Sequence, residues 1–185
     1  MRVDLVDGSE GPDPAMVFPP SGDFLDLREN PAAVERIAAA RRYMALRNFL
    51  VAVNGAESLF ATAIATTKSD LAAAASIGRA YEFASQTSLV FAEPAFNFER
   101  ERYAELRAGM KNLLERDSGN AVRVVLRICS CDFTAHNRRG FCLGFRLEAQ
   151  GDSVEQAEMR WGLALARVQQ ALLFRARALR QQAGD

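Results

Sequence analysis

The sequence predicts an α+β domain that is mainly helical: three helices, one β-hairpin and a long C-terminal helix. Three observations predict it. Apolar residues recur at helical spacing through much of residues 31–115 and again after residue 153. Between residues 121 and 149 the period changes, and two stretches rich in Val, Ile and Phe flank a short polar turn. A chain of 185 residues with 49% hydrophobic content also suits one domain with a sizeable core.

The first segment is the least regular. Residues 1–22 contain four prolines and three glycines, and residues 1–30 carry seven acids against Arg2 and Arg28. Such a stretch buries too little apolar surface to offset its ordering entropy. It is expected to be a flexible acidic arm, with a single globular domain over residues 23–182. "AMVF" and "DFLDL" are its pieces able to dock on the body.

Asn30 and Pro31 suit an N-cap followed by the first helical position. Val34, Ile37, Met44, Phe49, Val53 and Phe60 then predict a helix from 31 to about 66, with a bend at Asn54-Gly55. Ser69 is placed to cap a second helix over "DLAAAASIGRAYEFASQTSLVF", which stops before Pro94. A third helix is expected in "FERERYAELRAGMKNLLER", with Phe98, Tyr103, Leu106, Met110, Leu113 and Leu114 as its buried stripe.

"AVRVVLRICSCDF" and "FCLGFRLEA" read as the hairpin strands. A three-residue loop with glycine at the positive-φ position makes Arg138, Arg139 and Gly140 the turn and sets Asn137 opposite Phe141. In that register the large apolar side chains share one face with Cys129 and Cys131. Asp132 faces Arg146 on the other, where His136 lies opposite Cys142. The last helix opens at Ser153, with Gln156 at capping-box spacing, and runs to about Gln181.

Residues 128–142 hold all three cysteines and the sole histidine. Cys129, Cys131, His136 and Cys142 are therefore the metal-ligand candidates, yet the expected register points two of them away from the other two, and a structural zinc site needs about four convergent ligands. Cys142 beside His136 is also a possible thiol–base pair, without an evident third group to orient it. No Gly-rich phosphate loop, nucleophile elbow or zinc-protease motif is present, so no catalytic residue and no cofactor are assigned.

Basic and acidic residues number 23 each, which gives no global bias towards nucleic acid or anionic membrane. Locally, Arg123, Arg127, Arg138, Arg139 and Arg146 outnumber Asp132 and Glu148 across the hairpin, and a basic β-ribbon is one way into a DNA groove. No membrane span or secretory start is read, and three clustered cysteines suit a reducing compartment, so a cytoplasmic location is expected.

The last helix has two apolar faces. One runs through Val154, Ala157, Trp161, Leu165, Val168 and Leu172; the other comprises Met159, Leu163, Ala166, Leu173 and Phe174. A surface helix needs one such face. The expected function is a non-catalytic interaction or assembly module, self-associating through this helix, with Trp161, Val168, Leu172, Leu173 and Phe174 as the interface. The expected partner is a second copy or another protein. Nucleic-acid binding by the arginine-rich hairpin is the first alternative, and a thiol or metal role for the Cys/His cluster is the second.

Overall fold

The computed structural model describes residues 1–7, 16–20, 22, 24–70, 81–115 and 121–184. Its centre is a six-stranded mixed sheet rather than a helical bundle. The strands are β1 (Arg2–Asp7), β2 (Met16–Phe18), β3 (Phe60–Asp70), β4 (Tyr81–Phe91), β5 (Val122–Phe133) and β6 (Arg138–Gly151). They lie in the order β1-β5-β6-β4-β3, with β2 also beside β5. β1 and β2 run parallel to β5, and the other pairs are antiparallel. The helices are α1 (Ala38–Arg42), α2 (Met44–Asn54), α3 (Arg100–Leu114) and α4 (Val154–Gly184).

The mainly helical reading fails at residues 31–66 and 69–92. The first stretch is a 3-10 turn over Pro31–Arg36, then α1 and α2, separated where Ile37 and Tyr43 take extended backbone angles. α2 stops at Gly55, also extended, and Phe60 begins a strand. Thr62, Ile64, Thr66 and Thr67 are β-branched and fit a pleated surface better than a helix. The predicted second helix contains β4 instead; its residues 71–80 lie outside the described residues. β4 pairs on both sides, and Thr87 through Phe91 are all buried. A strand covered on both faces loses the alternation that identifies strands in a sequence.

Part of the expected acidic arm belongs to the sheet. Residues 2–7 pair with 123–128, and residues 16–18 with 131–133. Asp4 explains some of this attachment, because its carboxylate accepts from Arg123 Nε at 2.6 Å and from Arg2 Nε at 2.9 Å.

Other expectations hold in part. α3 buries Tyr103, Leu106, Met110 and Leu114 of its expected stripe, whereas Leu113 is half-buried and Phe98 precedes the helix in a 3-10 turn over Pro94–Phe98. At the start of α4, Gln156 N donates to Ser153 Oγ at 3.2 Å, while Gln156 Oε1 accepts from Asp152 N at 2.8 Å. The helix terminus also holds the Glu155 carboxyl below its usual range, through its own backbone amide and then the Ser153 hydroxyl.

α2, α3 and α4 cover one face of the sheet. From that face Val124, Leu126, Ile128, Leu143, Phe145 and Leu147 enter the main core. The alternate residues of β5 and β6 form the reverse face, which carries arginines at one end and the cysteines at the other.

Candidate functional site

The β5–β6 turn sets the geometry of the reverse face, and it differs from the expected one. Phe133 pairs with Arg138, and Thr134–Asn137 form the loop as a short 3-10 turn. Asn137 supplies the left-handed residue, at φ 45° and ψ 43°, which asparagine tolerates better than most residues. Gly140 is instead inside the strand, opposite Cys131. A Cβ there would collide with the Asn97 carbonyl oxygen and press on Phe98 and Phe133. Asp132 faces Arg139, not Arg146, and its carboxylate is held by Arg139 Nε at 2.7 Å. The carboxylate therefore stays partly in solvent and ion-paired, which removes the burial penalty that argues against such a register.

This register brings together the three cysteines. Cys129 is directly opposite Cys142, and Cys131 is two residues along β5 on the same face. Cys131 and Cys142 are fully buried, Cys129 is half-buried, and no disulfide joins them. Met16 on β2 adds a fourth sulfur: Cys142 Sγ donates to Met16 Sδ at 3.5 Å. Hydrogen bonding to Cys129 and then Cys131, together with burial, pushes the Cys142 thiol up and keeps its proton on. The same Cys142 S–H is the main reason the Cys131 thiol is shifted down. Val90, Phe133, Phe18 and Phe98 pack around this sulfur group.

His136 does not join it. Its ring lies in the turn and meets Phe98 edge-on, 5.9 Å between centroids. The expected His136–Cys142 pair is therefore replaced by Cys129–Cys142. Among the described residues no group of three or more His, Cys, Asp and Glu is disposed to hold a metal ion.

A cleft of about 270 Å³ lies beside the sulfur group, with Phe18, Phe91, Phe133 and His136 in its wall. Two of its polar neighbours, Arg28 and Asn97, serve the fold. Arg28 Nη1 donates to the carbonyls of Gly55, Ser58 and Phe60. Asn97 Oδ1 accepts from the Phe91 amide at 2.7 Å and the Tyr103 hydroxyl at 2.6 Å, and its Nδ2 donates to Phe91 O. His136, Asp26 and Glu29 also line it, and none of its described lining residues is a serine, threonine or cysteine.

The arginine candidates divide among local contacts. Arg123 binds Asp4 and Glu148, Arg146 binds Glu148 at 2.7 Å, and Arg139 binds Asp132. Arg138 lies 4.1 Å above the Phe98 ring. Arg127 is on the same sheet face, opposite Gly144. Pairing with carboxylates reduces the positive potential that phosphate binding would use.

The two faces of α4 separate cleanly. Trp161, Val168 and Leu172, three of the expected interface residues, are inside the chain's own core, and Trp161 Nε1 donates to Ser85 Oγ at 2.8 Å. Leu173 is half-buried. The second face points outward: Met159 is 59% exposed, Leu163 62% and Phe174 59%, with exposed Ala166 between them. No helix among the described residues is long and apolar enough to cross a membrane.

Met16, Phe18, Val90 and Phe98 join the sulfur site although the sequence does not place them there. "AMVF" is read as able to dock and Phe98 as buried, but all four are distant in sequence from the hairpin, and nothing local names the cysteines as their partners. Compared with known protein families, curated proteins and solved structures, the chain finds no match.

Proposed function

We propose that this protein is a non-catalytic assembly module that self-associates through the outward face of α4. The observation that carries the reading is the set of three large apolar side chains, Met159, Leu163 and Phe174, each about three-fifths exposed on a helix whose opposite stripe already fills the core. Clustered apolar exposure of this kind marks interaction surfaces. Met159, Leu163, Ala166 and Leu173 follow a four-three-seven spacing, which keeps them on one seam able to meet a copy of itself. At a rise of 1.5 Å per residue, 31 residues make a helix about 46 Å long, enough for an extended two-fold contact. The ion-paired arginines favour this reading over nucleic-acid binding.

Sedimentation equilibrium over a wide concentration range tests it. The wild-type chain should pass from monomer to dimer, while Leu163→Glu combined with Phe174→Glu should remain a folded monomer by circular dichroism. Both positions face solvent, so the double variant should fold. A wild-type chain that is monomeric throughout refutes the proposal, as does a double variant that associates like the wild type.

A further inference from the structure

We infer that Cys129 and Cys142 form a reactive dithiol which a hydroperoxide oxidises to a disulfide across the β5–β6 ladder. This is independent of assembly through α4, which lies against the opposite face of the sheet.

Three observations carry the inference. The first is register: Cys129 and Cys142 are direct partners on antiparallel strands. Such partners have Cα atoms about 4.5–5.5 Å apart, inside the range of about 4.4–6.8 Å that a disulfide spans. The second is access. Cys129 is partly exposed, whereas Cys131 and Cys142 are sealed beneath their neighbours. Next to Cys142 on the same face is Gly144, where a Cβ would stand 3.6 Å from Cys129 Sγ, so the absent side chain leaves a gap beside that sulfur. The third is packing: Cys142 sits in the buried sulfur group against which Cys129 packs, so a second sulfur is held beside the first.

The chemistry balances without a metal or another protein. The Cys129 thiol sheds its proton, the thiolate attacks the terminal oxygen of the hydroperoxide, the O–O bond breaks, and the alkoxide (or hydroxide, from hydrogen peroxide) takes up that proton and leaves as the alcohol (or water). Cys129 becomes a sulfenic acid. Cys142 sulfur then attacks Cys129 sulfur; the S–S bond forms, the S–O bond breaks, and hydroxide leaves with the Cys142 proton as water. Two thiols lose two electrons and two protons, and the hydroperoxide gains them. Burial of Cys142 makes the second step internal, because its sulfur can reach Cys129 but not another chain. Cys131 is the less favourable partner for Cys129. The two are neighbours on one strand, and their Cα atoms stand about 6.6 Å apart at a rise of about 3.3 Å per residue, near the upper limit for bridging.

The test treats the reduced full chain with hydrogen peroxide, alkylates it under denaturing conditions, and maps the peptides without reductant. Two of the three thiols should disappear, a peptide pair joined through Cys129 and Cys142 should appear, and dithiothreitol should restore all three. Cys131→Ser should keep the cross-link. Cys142→Ser should lose it and leave a sulfenic acid at Cys129 that dimedone traps. Retention of all three thiols overturns the inference, as does a wild-type cross-link between two chains or through Cys131. The wild-type map alone is decisive if a variant fails to fold.

Discussion

Replacing Trp161 with phenylalanine should destabilise the fold without dissociating an assembly. The indole is 1% exposed. It packs on Phe83, with centroids 4.6 Å apart, and on Tyr43 at 5.8 Å, while Nε1 donates to a Ser85 hydroxyl that is itself buried. Phenylalanine keeps an aromatic ring but removes the donor, leaving Ser85 Oγ without that partner at a cost of about 1–3 kcal/mol. The lost ring volume and weakened aromatic contacts add about 1 kcal/mol, for a total of roughly 2–4 kcal/mol. That is a large share of the roughly 5–15 kcal/mol that holds a domain folded. Urea unfolding followed by far-ultraviolet circular dichroism measures it, since the variant loses the chain's single tryptophan. Ser85→Ala should cost about 1–3 kcal/mol by leaving the indole N–H unpaired. The double variant should cost less than the sum of the two, because both ends of one bond have gone. An unchanged unfolding midpoint with altered sedimentation would refute the core assignment, and strict additivity would refute the hydrogen bond.

Asn137→Val should cost about 1–2 kcal/mol, because a β-branched side chain is forced into the left-handed region, whereas Asn137→Gly should be close to neutral in the same denaturation assay. Gly140→Ala should destabilise by about 1–3 kcal/mol as the strand is pushed off the Asn97 carbonyl, and restoration of the wild-type midpoint by no compensating change at Asn137 separates this clash from the turn. Asp4→Asn should lower stability near neutral pH by about 0.2–1 kcal/mol, the range for a solvent-facing ion pair. The Arg123 side chain, hydrogen-bonded to it, holds the Asp4 carboxyl below its usual range. Its contribution is therefore present above the unfolded carboxyl value and lost as pH falls through the folded one, so wild type and Asp4→Asn should converge in acid.

α3 and α4 were legible because each has a local signature: a stripe at helical period in both, and in α4 the Ser153/Gln156 cap. The β5–β6 hairpin was legible from its change of period, and its cysteines stood out by proximity in sequence. β3 and β4 were not legible. Their identity depends on pairing with strands far along the chain, and burial on both faces of β4 erased its period. Tertiary structure also chose the hairpin register. Gly140 was needed where the backbone of Asn97 presses on β6, so the turn fell to Thr134–Asn137 and Asn137 supplied the positive φ. That shift placed Cys142 against Cys129, a pairing that a one-residue change of register would have sent to opposite faces. In α4 the two apolar faces were visible in the sequence, but which one met the core depended on where the sheet lay. Periodicity records that a face is apolar; only the surface packed against it decides whether that face is inside or left to solvent.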